Sequence, residues 1–168
     1  AMEHIKERPD FVCLSKGLTS GVMPMGVTVT TDTIYQAFCG DRSRTFFYGH
    51  TFSGNALSSR VALESLKMFD DCEVLERNKE KIAVLEGSHA RFRQNAHVAD
   101  ARGIGMIWAI ECKLSHEKLW QVASIAWKKG LWIRPLHNVL YLVPPYCTTP
   151  SELSWALNVI EEGLNEVQ

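Results

Sequence analysis

At Asp70-Asp71 the hydrophobic pattern changes character, and this break limits the folds open to the 168 residues more than any other feature. Ahead of it, short strand-length runs alternate with helical spacing. Phe11 to Leu14 is an apolar run of strand length, and Met25 to Thr31 is β-branched and strand-like. Asp32 reads as the N-cap of a short helix through Phe38. Residues 39–54 mix glycine, aromatic and polar side chains and predict a loop. From Asn55 the spacing predicts a helix with Leu57, Val61, Leu66 and Phe69 as its buried face.

Behind the break, residues 72–95 carry a long, charged, amphipathic helical pattern that offers Val74, Leu75, Ile82, Leu85 and Phe92 for packing. Two strand-like pieces joined at Arg102-Gly103 follow, then a helix over about 116–129 stopped by Gly130. Two short strands, LWIRP and VLYLVPP, precede a terminal helix opened by Pro150. The expectation is an α/β domain over 1–70 and a smaller α+β domain over 71–168.

Composition removes several classes of function. A formal net charge of −1 without a dense Lys/Arg stripe gives no support to a nucleic-acid or anionic-membrane partner. No apolar run has bilayer length, and no signal-peptide pattern opens the chain. The five cysteines are scattered and never form a C-x-x-C pair, which argues for a reducing cytoplasm rather than a disulfide framework. The six histidines show no metal-ligand spacing.

Three segments have the residue types for chemistry. In CLSKGLTSG, Lys16 stands where an apolar run ends. At the carboxyl end of a buried strand, partial desolvation would lower its pKa and free the amine for Schiff-base formation. Gly17 and Gly21 would let the backbone approach a flat cofactor; a solvated turn lysine is the alternative. In YGHTFSGN, Thr51 and the amides of a helix N-terminus suit a phosphate, although Asn55 serves equally as a plain N-cap. In WIRP, Arg134 is expected at a strand end, suited either to a carboxylate ligand or to a structural ion pair. Tyr141 could line the same pocket; the residues alone favour a place in the core. Arg102-Gly103-Ile104-Gly105 lacks the third glycine of a dinucleotide fingerprint and reads as a tight turn, and the charges from Glu73 to Lys81 read as a solvated helix face.

Taken in order, RPDFVCLSKGLTSG, FFYGHTFSGNALSSRVALESL, RGIGMIWAIE and GLWIRPLHNVLYLVPPY resemble the class III aminotransferases of the fold type I pyridoxal-phosphate enzymes. The resemblance implies the carboxyl-terminal part of the large cofactor-binding domain followed by the small α+β domain. It implies pyridoxal 5'-phosphate as cofactor, with Lys16 forming the covalent link and shuttling the proton. Thr51, with Gly49 and His50 in the same segment, would bind the cofactor phosphate across a homodimer interface. Arg134 would hold a substrate carboxylate, with Tyr141 near it.

The pairing of WIRPL with LYLVPPY points to the biotin-synthesis branch, with S-adenosylmethionine as amino donor and 8-amino-7-oxononanoate as acceptor. Another class III transaminase, acting on an ω-amino acid or amine, is the close alternative, and a non-catalytic partner-binding remnant the distant one. Ser20 and Ala56 depart from the family pattern, standing in place of a glycine and a proline. The family is much longer, and the AMEH start resembles an internal position. Ala1 is therefore expected to be native and the chain a carboxyl-terminal piece, inactive alone and exposing apolar surface.

Overall fold

The computed structural model describes residues 2–167, so the reading of Ala1 lies outside the described residues. The chain forms two compact units, Ala1–Cys72 and Glu73–Gln168.

In the first unit, β1 (Phe11–Leu14) pairs antiparallel with β2 (Val27–Thr30), Phe11 opposite Thr30 and Leu14 opposite Val27. This pair is the unit's whole sheet among the described residues, so the buried strand expected before Lys16 is not found. Of β1 only Val12 is partly covered, because no other layer packs on so small a ribbon. The short helix α1 (Asp32–Ala37) is capped by Thr31, not Asp32: the Thr31 hydroxyl accepts from the Ile34 amide. Residues 39–54 form a loop apart from a 3-10 turn at Arg42–Arg44.

Helix α2 (Ala56–Asp71) differs from expectation in its buried face, which consists of Ser58, Ala62 and Ser65. Leu57 and Leu66 are exposed instead. The reason is chemical: the helix packs on the polar lysine loop, whose backbone requires hydrogen-bonding partners. Ser58 Oγ donates to the Pro24 carbonyl at 3.4 Å, and the Ser65 and Ser20 hydroxyls meet at 2.7 Å. Phe46, Phe47, Tyr48 and Phe52 are among the most exposed apolar side chains of the chain.

The second unit is a four-stranded antiparallel sheet in the order β3-β4-β6-β5 with helices α3 (Val74–Gln94), α4 (His116–Lys128) and α5 (Pro150–Glu166). Its strands are β3 (Val98–Ile104), β4 (Ile107–Cys112), β5 (Pro135–Leu136) and β6 (Val139–Leu142). Alternation along β4 buries Trp108, Ile110 and Cys112 against Phe92 and Leu85 of α3 and Leu153, Leu157 and Ile160 of α5. Trp108 meets Phe92 edge-on at 4.8 Å and donates its indole N–H to Ser88 Oγ at 2.8 Å, so the largest core side chain keeps its one polar group satisfied. Burial pushes the Cys112 thiol up to about 11.

The β3–β4 turn falls at Gly105-Met106, beyond the expected Arg102-Gly103, with Gly105 at φ +55°. Arg102 and Gly103 are strand residues opposite Ala109 and Trp108. Gly103 is required by close approach: a Cβ there would lie 2.6 Å from the Ile107 carbonyl oxygen and 3.2 Å from the His89 ring. Gly103→Ala is expected to cost about 2 kcal/mol of unfolding free energy, read as a lower denaturant midpoint. Unchanged stability would mean that the hairpin backbone yields.

The expected solvated face of α3 is interrupted. Asn78 is buried, and Lys81 Nζ donates to Asn78 Oδ1 at 3.1 Å and to the Tyr146 carbonyl, tying the loop after β6 to the helix. Helix α5 begins with a capping box: the Thr149 hydroxyl takes the Glu152 amide, and Glu152 Oε2 accepts from the Thr149 amide at 2.7 Å. No helix of the described residues is long and apolar enough to cross a membrane.

Candidate active site

Lys16 opens a 3-10 turn, Lys16–Thr19, directly after β1. Hydroxyl side chains hold the turn in place. Ser15 Oγ donates to the Met25 carbonyl at 2.8 Å, and the buried Thr19 hydroxyl donates to the Met23 carbonyl. Ser20 closes the turn at a left-handed φ of +50°, a conformation costly for a residue with a Cβ, and its contact with Ser65 holds it there. Lys16 itself has a φ of +37°, an unfavourable conformation for a residue with a Cβ. Among the described residues its amine makes no ion pair or hydrogen bond.

The lysine lines an open depression of about 1380 Å³ together with Ser15, Pro24, His50, Ser53, Gly54 and Asn55. Lys16 and His50 therefore share one cleft, while Gly49 and Thr51 are exposed beside it and are not wall residues. Part of the expected anion cradle is already engaged. The Asn55 side chain caps the Ser58 amide at 2.9 Å, the plain N-cap reading, and His50 Nδ1 accepts from the Phe52 amide at 3.2 Å. The Lys16 side chain is exposed, so the partial burial expected to activate it is not supplied by β1.

In the second unit, Arg134 and Tyr141 line one pocket of about 570 Å³, with Trp132, Val143, Pro144 and Trp155 among its apolar walls. Arg134 precedes β5 instead of ending a strand, because residues 131–134 have no regular structure. Its neighbours Ile133 and Pro135 are buried, which anchors the backbone while the side chain stays exposed. The described residues offer the guanidinium no ion pair. Tyr141 lies off the core: in β6, Leu140 and Leu142 take the buried face and the intervening tyrosine takes the other. Glu152 also borders this pocket, yet its carboxylate is directed into the α5 cap, and the Thr149 amide holds its pKa below the usual value.

Sequence reasoning missed the serines that build the lysine turn. The spacing of Ser58, Ala62 and Ser65 on α2 was the available signal, a small-residue stripe set beside a more obvious row of leucines. It also missed Trp132 and Trp155, whose role in the pocket wall has no local signature.

The lysine turn lies in the first unit and the arginine pocket in the second. The model of the class-III aminotransferases matches residues 1–164, and the chain belongs to that family. Among its curated relatives is the adenosylmethionine-8-amino-7-oxononanoate aminotransferase of Synechococcus elongatus, 39% identical over 95% of this chain and 39% of its own length. The enzyme of that name from Helicobacter pylori is 34% identical over 100% of this chain and 40% of its own. The crystal structure of the Methanocaldococcus jannaschii enzyme superposes with a TM-score of 0.86 at 34% identity, covering 96% of this chain and 40% of that one. The fold is thus that of the carboxyl-terminal portion of the fold type I transaminases, and the chain spans about two fifths of these relatives' length.

Proposed function

We propose that the chain carries the lysine and the carboxylate-binding residues of a pyridoxal-phosphate aminotransferase. This enzyme would move the amino group of S-adenosylmethionine to 8-amino-7-oxononanoate, giving 7,8-diaminononanoate in biotin synthesis. The carrying observation is Arg134, an unpaired guanidinium in a pocket with otherwise largely apolar walls. Such a pocket suits a carboxylate at the end of an aliphatic chain, which the acceptor has. The relatives named for this reaction support the same reading.

The residues present fit the cofactor. Lys16 offers a primary amine without a competing partner, and a Cβ at Gly17 or Gly21 would meet nothing within 4 Å, leaving room for a flat ring. When bound, pyridoxal phosphate supplies the electron sink that stabilises a carbanion at the amino-bearing carbon. Lys16 would hold it covalently through Nζ and carry the proton to and from that carbon. Thr51, with Gly49 and His50, would bind the phosphate of a second copy's cofactor in a homodimer, while Arg134 and Tyr141 orient the acceptor. On this reading residues 1–70 belong to the large cofactor domain and 71–168 form the small one. The five free cysteines support a cytoplasmic location.

The test is made on the full-length holoenzyme, by following the absorption of the bound cofactor. S-adenosylmethionine is expected to convert it to the amino form, and 8-amino-7-oxononanoate to restore it. If only simple amines or ω-amino acids discharge the cofactor, the family's other transaminase activities become the reading.

A further inference from the structure

We propose that helix α4 clamps the Arg134 segment at two points, with Trp127 as the main positioning residue for carboxylate binding and His116 as the second. The inference rests on Arg134 being the carboxylate anchor. Residues 131–134 lack regular structure and β5 has only two residues, so the sheet ladder gives this stretch little support. Side chains of α4 supply what the ladder lacks. Trp127 donates its indole N–H to the Ile133 carbonyl, the group directly before Arg134, at 2.7 Å. The same ring stacks on Trp132 with centroids 4.8 Å apart and planes within 13°. One side chain thereby fixes both residues leading into Arg134.

The second point is at the far end of β5. His116 Nδ1 lies 3.3 Å from the His137 carbonyl, and Trp120 donates its indole N–H to His116 Nε2 at 2.9 Å. A carbonyl only accepts and an indole nitrogen only donates, so the two partners require a neutral ring with its proton on Nδ1. His137 itself sits at a left-handed φ of +54°, a conformation that needs such a restraint. Trp120 and Trp127 meet edge-on at 5.9 Å, making His116, Trp120, Trp127 and Trp132 one continuous aromatic row. The guanidinium, having no partner of its own, inherits its position from the backbone this row holds. Bidentate capture of a carboxylate tolerates only about 0.5 Å of misplacement, so the restraint bears directly on binding.

The experiment compares the full-length holoenzyme with its Trp127→Phe, His116→Ala and Arg134→Ala variants, using 8-amino-7-oxononanoate and its methyl ester as acceptors. Trp127→Phe keeps an aromatic ring beside Trp132 while removing the indole donor and part of the stacked area. It is expected to raise KM for the acid about fivefold with kcat nearly unchanged, and to leave the ester unaffected. In the Arg134→Ala background it is expected to add nothing. His116 is exposed, so His116→Ala tests the clamp even if the tryptophan variant folds poorly; about a twofold rise is expected in the same direction. Parental acid preference in both clamp variants, with Arg134→Ala losing it, overturns the clamp and leaves Arg134 as anchor. Equal losses on acid and ester from Trp127→Phe also overturn it, assigning the residue to general packing. Parental preference in Arg134→Ala removes the anchor itself, and the clamp with it.

Discussion

A Lys16→Gly protein is expected to lose transamination by about four orders of magnitude, while its cofactor-free form unfolds no earlier than that of its parent. The two halves of this result have separate causes. Activity falls because no other amine among the residues lining the depression replaces the lysine. Stability holds because Lys16 is exposed, makes no contact that its loss would break, and sits at φ +37°. A left-handed residue with a Cβ carries about 1–2 kcal/mol of strain. Glycine relieves it, at a cost of about 0.5–1 kcal/mol in unfolded-state entropy. Rate assays on the full-length holoenzyme and thermal melts on its cofactor-free form decide the matter. Retained transamination would end the proposed role of Lys16, and a large drop in melting temperature would make the residue structural.

Trp108→Ala is expected to cost about 3–5 kcal/mol, the largest stability loss of any single substitution considered. The side chain is fully buried, so its removal leaves a cavity between Phe92 and the strands and strips Ser88 Oγ of its donor. Trp108→Phe separates these effects. It refills much of the volume, and because Ser88 also donates to the Leu85 carbonyl at 2.6 Å the serine is not orphaned, so a loss nearer about 1 kcal/mol is expected. Denaturant titration of the three proteins measures both. Equal losses for the two variants would mean that the indole N–H, not the packing, sets the cost.

Where local pattern and tertiary demand agreed, the sequence was readable. The short apolar runs at Phe11–Leu14 and Val139–Leu142 form strands and Pro150 opens helix α5, as the sequence leads one to expect. Failures arose where a neighbour distant in sequence decides. Leu57 and Leu66 satisfy a helical template, yet α2 buries serines because a polar loop lies against it. The Gly105 turn was misplaced because Arg102-Gly103 has equal turn propensity, and only the contact between Gly103, Ile107 and His89 reveals why that glycine is in the strand. At the candidate site, Lys16 and Arg134 stand out within their own segments, and the structure places each in the wall of a depression or pocket. Their supports do not stand out, since Ser65 and Trp127 act on residues that no short motif links to them.

The strand order β3-β4-β6-β5 bears on how the second unit is made as well as on how it stands. Two of its three pairings join consecutive strands, so each closes a short loop on the microsecond scale typical of hairpins. Only the β4–β6 seam, Trp108 opposite Leu142 through Glu111 opposite Val139, spans an intervening helix. Closing that seam carries most of the loop entropy, and it brings Trp108, Ile110, Leu140 and Leu142 together in one step. The seam between β4 and β6 is thus the pairing that asks most of chain closure, and it cannot form until β6 has been synthesised.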